Sequence, residues 1–352
     1  MNKKPANIPS GTMPFPPGFE VCWAGANPFG SGCFFGSEDG GVQLFDNNFR
    51  PLGSAIKTSP SGEAINSVAG VGTWFATSTR RDINFIGRSS QAGKSEMYHA
   101  PYGAHDLAVT TSGFFVAALG RLGLLFAEAD IRKDNFTITN PGAEGELSVY
   151  SVLTLPGDAQ HDLVVCAGRT GGILYCQWRA SQATTNMRTM SFADLDVVDV
   201  CSIGTIEHPR AVAALAKNGA LLLSKDILAD EKPGTVKFDN VTGTAYRVVR
   251  CRGHLFVLTR NGVFGLWNLA ENFVNGTFGI NGDTSILGMP MEATDLNVVM
   301  DHWLLIVGLD SIEQIDVDGI QEGEERTRPQ ILRPDWKSNG VTQTPKEFAL
   351  TA

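Results

Sequence analysis

Short apolar runs along this chain pair off across tight polar turns, and the pairing recurs seven times. The first members with their turns are Cys33-Phe34-Phe35-Gly36 with Asp39-Gly40, Trp74-Phe75-Ala76 with Arg80-Arg81-Asp82, Phe114-Phe115-Val116 with Arg121-Leu122-Gly123, and Leu163-Val164-Val165 with Arg169-Thr170-Gly171. Ala211-Val212-Ala213 with Lys217-Asn218-Gly219, Leu255-Phe256-Val257 with Arg260-Asn261-Gly262, and Leu304-Leu305-Ile306 with Asp310-Ser311 complete the series. Aromatic and β-branched runs bounded by such turns predict hairpins. Their near-continuous apolar character predicts strands covered on both faces. Measured from Gly40 through Asp82, Gly123, Gly171, Gly219 and Gly262 to Ser311, the turns stand 41 to 49 residues apart.

That spacing is the length of one four-stranded propeller blade. The chain therefore reads as all-β: a single seven-bladed β-propeller of four-stranded antiparallel blades over 1–318, then a mostly irregular segment, 319–352. Within a blade, strands A to D run from the centre outward. Strand A is expected to begin near Glu20, Ala64, His105, Leu147, Val197, Ala245 and Asp295, and strand B supplies the runs quoted above. Strand C follows the turn, at 42–45, 83–86, 123–126, 172–175, 220–223, 263–266 and 312–315. The outer strands are expected at 55–58, 96–99, 136–139, 188–191, 235–238 and 276–279, and their more polar character suits an exposed edge. Asn218-Gly219 and Asn261-Gly262 predict two-residue type I′ hairpins, with both central residues at positive φ. Helical character is confined to 269–274 and the residues after Pro345. Two closures of the ring are open, with 7–15 or 330–332 as the outer strand of the last blade. The first is favoured because it fastens the last blade to the start of the chain.

Period and turn pattern together resemble the WD-repeat-like seven-bladed β-propeller superfamily over roughly residues 7–318. No Trp-Asp dipeptide closes a strand C, and Gly103-Ala104-His105-Asp106 is the nearest echo of the family's Gly-His element. The resemblance implies a platform for partners, with a central channel as the usual pocket. A fold of this kind does not by itself specify a function.

The net charge is −9 and no long basic block is present, which disfavours wholesale binding to nucleic acid or an anionic membrane. The densest acidic stretch, 310–325, holds seven carboxylates and reads as a solvated strand and tail. The first 17 residues lack the apolar core of a signal peptide, and no apolar run approaches the ~20 residues that span a bilayer. A cytoplasmic address follows as the expectation, so the sequons at Asn135, Asn240 and Asn275 carry little weight. The six cysteines (Cys22, Cys33, Cys166, Cys176, Cys201 and Cys251) mostly sit in apolar runs without CxxC spacing, and read as reduced.

In this topology the D–A loops and B–C turns share one face of the ring. Five consecutive blades place a cation at the B–C turn: Arg80 with Arg81, Arg121, Arg169, Lys217 and Arg260. Glu38-Asp39 and Asp310 break the pattern in the first and seventh blades. On an acidic chain such an arc points to a docking rim for partner proteins in a complex, with Tyr102 and His105 beside it as a possible aromatic anchor. On the opposite face, His161, His208, His254 and His302 fall at or near the A–B turns of the last four blades. Successive sheets lie about 10 Å apart, too far for one metal shell. Neither a metal nor another cofactor is expected, and no nucleophile elbow, P-loop or His-Glu-X-X-His motif is present. The leading expectation is a non-enzymatic interaction scaffold, with 319–352 packing on the ring or serving as a linear motif. The alternative is a lyase or hydrolase, with or without metal assistance, at the channel mouth. It requires titratable side chains to converge there.

Overall fold

The computed structural model describes residues 11–88, 95–128, 136–139, 148–157, 161–168, 172–179, 182–191, 195–229, 234–238, 241–266, 268–274, 286–289 and 292–319. Its strands form seven four-stranded antiparallel sheets. In six of them the strands follow chain order from the centre outward. In the seventh, Asp295–Val299, Trp303–Val307 and Ser311–Asp316 take their outer partner from the N-terminal strand Gly11–Pro14, in register from Gly11↔Gln314 to Pro14↔Ser311. Residues 330–332 lie outside the described residues. Consecutive sheets contact one another and the first meets the seventh, so the series closes into a propeller.

The alternation of side chains across each sheet explains why near-continuous apolar runs were needed. In the fifth blade, Val212, Ala214 and Leu222 face the fourth, joining Leu163 and Val165. Their neighbours Ala213, Leu215, Leu221 and Leu223 face the sixth, joining Leu255 and Val257. A strand buried on both faces must be apolar at every position, and the period-2 geometry deals its residues to two different cores. The described residues accordingly form seven clusters, each drawn from two adjacent sheets. Outer strands bury little: Ile56–Lys57 is exposed at both residues.

Two local expectations are corrected. The outer strand of the sixth blade is Ile286–Met289, paired with Gly262–Leu266. Residues 276–279 lie outside the described residues. Glycine at both ends of 276–279 weakens it as a strand, whereas Ile286 and Leu287 supply apolar bulk. The B–C turns are not type I′, because neither Asn218 nor Asn261 has a positive φ. In the fifth blade the Gly219 N–H donates to the Ala216 carbonyl at 2.9 Å, and Gly219 alone turns left-handed, at φ 83°. This is a type I turn with a glycine bulge, and the Asn218 side chain accepts the Ala220 N–H at 3.0 Å. Left-handed non-glycine residues occur instead at the A–B turns, at Arg252, Met300 and Asp301, and outside them at Phe49 and Asn268. The helix Leu269–Val274 lies where periodicity placed it.

The loop leading into the third blade packs hard on the Arg80–Arg81 turn. A Cβ built on Gly103 would stand 1.7 Å from the Arg80 carbonyl oxygen, and backbone cannot swing aside as a side chain can. Gly103→Ala is expected to cost about 2 kcal/mol in urea unfolding. Gly234→Ala, whose nearest non-neighbour atom is 4.0 Å away, should stay within about 0.5 kcal/mol of the parent.

Candidate functional site at the channel mouth

Each inner strand opens on one tetrapeptide pattern: apolar, variable, mostly polar, apolar. The seven copies are Val21-Cys22-Trp23-Ala24, Ile65-Asn66-Ser67-Val68, Ala104-His105-Asp106-Leu107, Val149-Tyr150-Ser151-Val152, Val197-Val198-Asp199-Val200, Ala245-Tyr246-Arg247-Val248 and Ala293-Thr294-Asp295-Leu296. All seven residues at the variable position line a single cavity of about 150 Å³. In four blades the pairing register slips at that residue, between Val21/Trp23, Val149/Ser151, Val197/Asp199 and Ala245/Arg247. The extra residue of such a bulge leaves the ladder and can turn toward the channel. A second cavity of about 310 Å³ shares Cys22, Ile65, Asn66, Tyr246 and Thr294, and extends to Glu38, Glu63 and Arg80.

The third position of the tetrapeptide forms a belt of hydrogen bonds that runs from blade to blade. Ser67 Oγ donates to Asp106 Oδ1 at 3.1 Å, and Ser151 Oγ reaches Asp199 Oδ1 at 2.6 Å and Asp106 Oδ2 at 3.3 Å. The aspartates of the third, fifth and seventh blades each accept a main-chain N–H from the inner strand of the next blade. Val152 N–H donates to Asp106 at 3.1 Å, Val248 N–H to Asp199 at 2.7 Å, and Ala24 N–H to Asp295 at 3.4 Å. The innermost strand has no ladder partner on its channel side, so these donors need an acceptor. The Asp295–Ala24 contact joins the last blade to the first across 271 positions of sequence.

Charge in the belt is unbalanced. Arg247 Nε lies 3.6 Å from Asp295 Oδ1, and it is the belt's one cation against the carboxylates of Asp106, Asp199 and Asp295. Burial pushes the Asp199 carboxyl up to about 6, and Asp106 adds to the rise. Arg247, Ser151 and the Val248 N–H pull the other way. Burial likewise raises Asp295, against the pull of Arg247 and two main-chain N–H groups. Burial opposes charge on Arg247, yet the three surrounding carboxylates outweigh it and hold the guanidinium protonated more firmly than usual.

The rim residues named from sequence are distributed unequally. Arg80, Arg81, Arg121, Lys217 and Arg260 are all exposed at B–C turns, whereas Arg169 lies outside the described residues. Arg81 Nε pairs with Glu63 Oε1 at 2.7 Å, which neutralises it locally. Lys217 borders the first cavity and Arg80 the second. Tyr102 is half-buried. It packs against the cluster that holds Trp74, Ala104 and Leu107, because its ring buries apolar area between the second and third blades. His105 occupies a variable position, half-buried, with its ring 4.7 Å from that of Tyr150 across the blade boundary. It belongs to the cavity wall rather than to the outer rim.

Two histidines of the opposite face, His254 and His302, serve their own turns. His254 Nδ1 accepts the Asn268 N–H at 2.9 Å, and His302 Nδ1 meets the Met300 carbonyl at 2.5 Å. Asp162, beside His161, binds the neighbouring A–B turn through Thr111 Oγ1 at 2.6 Å and the Ser112 N–H at 3.1 Å. Among the described residues no three His, Cys, Asp or Glu side chains group as metal ligands do. Cys33, Cys201 and Cys251 are free thiols. No described helix is long and apolar enough to cross a membrane.

The belt residues Asp106, Ser151, Asp199, Arg247 and Asp295 were not singled out from sequence. Each looks unremarkable alone. The signal that would have found them is the aligned tetrapeptide, visible once the starts of the inner strands are superposed.

No family model and no curated protein matches the chain. Among solved structures, the β-propeller domain of Cps50 (Swd1) from Myceliophteria thermophila superposes with a TM-score of 0.64. The match covers 88% of this chain and 100% of that one at 12% identity, a likeness of fold.

Proposed function

We propose that this chain is a WD-repeat-like, non-enzymatic scaffold of the cytoplasm that docks an acidic segment of a partner protein across its B–C face. The observation that carries this reading is the exposure of Arg80, Arg121, Lys217 and Arg260 at equivalent turns of a chain whose net charge is −9. Cations held apart on separate rigid hairpins orient an acidic partner and speed its encounter more than they tighten it. Arg81 contributes less, because exposed ion pairs such as Arg81–Glu63 leave little net field.

The belt is where titratable groups converge, as an enzyme at the channel mouth would require. Its carboxylate oxygens are already engaged: Asp106 and Asp199 by serine hydroxyls and main-chain N–H groups, Asp295 by Arg247 and Ala24. Such groups hold blades together and are poor candidates for general acid–base work, which favours binding over catalysis.

The test is titration of fluorescent Glu/Asp-rich peptides into the parent and into the triple variant Arg121→Glu, Lys217→Glu, Arg260→Glu. Parent affinity should fall about tenfold between ~50 and ~300 mM salt, and the variant should lose most of it. Binding indifferent to both salt and charge reversal would remove this reading.

A further inference from the structure

We infer that the C-terminal stretch 326–337 docks on the A–B face of its own ring. Its cations lie over carboxylates of the sixth and seventh blades, and Trp336 lies against Phe29 of the first. This face is opposite the B–C rim, so the inference stands apart from the rim reading.

Three observations converge. The first is charge. Residues 261–325 hold twelve carboxylates and no Lys or Arg, whereas 326–337 holds Arg326, Arg328, Arg333 and Lys337 with one acid, Asp335. The fold gathers four of those carboxylates at the A–B turns of the sixth and seventh blades. The Glu271 N–H donates to the Gly253 carbonyl at 3.2 Å, Asp301 belongs to the seventh turn itself, Asp316 pairs with Trp303 beside it, and Asp318 holds Arg252. The cations of these two turns are Arg250 and Arg252. Arg252 is committed to Asp318 by two bonds of 2.9 Å, and Arg250 donates to the main-chain carbonyls of Arg252 and Gly204. Glu271 and Asp301 are exposed and have no ion-pair partner among the described residues. The flanking blades do not correct the deficit, because each adds both signs equally: Arg210 and Lys225 with Glu207 and Asp226 in the fifth, Arg50 with Asp46 in the first.

The second observation is where the chain leaves the ring. The Val317 N–H donates to the His302 carbonyl at 2.9 Å, so the short turn Val317–Gly319 ends on the A–B face of the seventh blade. Arg326 follows seven residues after Gly319 and Trp336 seventeen, spans of up to ~23 and ~56 Å when extended. Adjacent sheets lie about 10 Å apart, so both the acidic turns and the first blade are within reach. A tether of this length holds the segment at roughly millimolar effective concentration, and a few weak contacts then suffice.

The third observation is Phe29, 44% exposed in the A–B turn of the first blade. Its ring stands edge-on to Phe34 and Phe75, with centroids 6.3 and 6.1 Å away. The turn is pinned to the second blade, since a Cβ built on Gly70 would stand 2.4 Å from Pro28 Cγ. A wet aromatic held rigidly on an aromatic pair offers a face to another large apolar side chain. Trp336 supplies one, within the same stretch as the four cations.

The experiment is trypsin digestion of the full chain, with cleavage after Arg326, Lys337 and Lys346 followed by mass spectrometry. Each rate is divided by that of a synthetic 320–352 peptide. The bonds after Arg326 and Lys337 should be cut about tenfold more slowly than in the peptide. The bond after Lys346, beyond the docked stretch, should be cut at the peptide's rate. Salt at ~300 mM should reduce the protection. Glu271→Gln with Asp301→Asn should restore most of the peptide's rate, and asparagine tolerates the left-handed backbone of position 301, at φ 60°. Phe29→Ser should do the same. Trp336→Ser, judged against a peptide with the same change, should remove the protection without altering the ring. Cleavage of the parent at the peptide's rate at both bonds overturns the inference. Protection that survives these variants overturns the assignment to this face. Protection lost only in the triple variant Arg121→Glu, Lys217→Glu, Arg260→Glu would put the acidic residues 322–325 on the rim, and overturns it as well.

Discussion

A chain lacking residues 1–15 is expected to unfold about 5 °C below the parent chain, a loss of about 4 kcal/mol. The strand Gly11–Pro14 is the outer partner of Ser311–Asp316, and Met13 and Phe15 pack on the cluster that joins the seventh blade to the first through Trp303, Phe45 and Phe49. Removing it takes two large side chains from the core. It also bares the main-chain donors and acceptors of a strand whose central residues Ile312, Glu313, Gln314 and Ile315 are buried. An exposed edge of that kind pairs with other chains, so the truncated protein should also sediment as higher-order species. Calorimetry and analytical ultracentrifugation measure the two effects, and a synthetic peptide of residues 7–18 added in trans should restore most of the lost temperature. A truncated ring that melts with the parent would mean that the seventh blade closes without its N-terminal strand.

Asp199→Asn is expected to stabilise the protein at pH 7, and Asp199→Ala to leave it about 2 kcal/mol less stable than the Asn variant. Burial raises the Asp199 carboxyl from 3.8 to about 6, so between those values the folded state binds a proton that the unfolded state has released. Stability from this group is therefore present below pH 4 and lost as the pH rises through 6, by up to about 3 kcal/mol. Asparagine keeps an oxygen for the Val248 N–H and turns its amide toward Ser151, without the charge. Its variant should show a flatter stability profile between pH 4 and 7. Alanine also sheds the charge but leaves the Val248 N–H without its acceptor, at about 2 kcal/mol. Urea titrations at several pH values separate the cases. An Asn variant less stable than the parent at pH 7 would show that the ionised carboxylate is net favourable in the belt.

Much of this molecule was legible before any coordinates. The B and C runs, such as Trp74-Phe75-Ala76 and Leu221-Leu222-Leu223, are apolar at consecutive positions because both faces of each strand are buried, and that requirement leaves a mark in composition. The rim cations were legible for a topological reason: once the order of strands is known, every B–C turn falls on one face. The outer strands were harder, since a strand with a single partner and a wet face is held to no strong pattern. The sixth was misplaced for this reason. Turn type was misread because Asn-Gly suits two geometries, and only the path of the flanking strands selects between them. The belt went unnoticed because a lone aspartate in an inner strand has no meaning until its acceptor role is known, and its donor lies in another blade.

What the chain determined unaided was the repeat: local hydrophobic alternation, turn residues and period are short-range properties, and they suffice to specify small sheets that must stack on neighbours to bury their faces. What tertiary structure alone decided was everything that depends on closure. Asp295 meets Ala24, Gly11–Pro14 meets Ser311–Asp316, and seven bulged or polar strand starts converge on one cavity only when the ends of the series are brought together. Contacts between residues hundreds of positions apart leave no periodic trace in sequence, because the geometry of the ring, rather than any local preference, makes them neighbours.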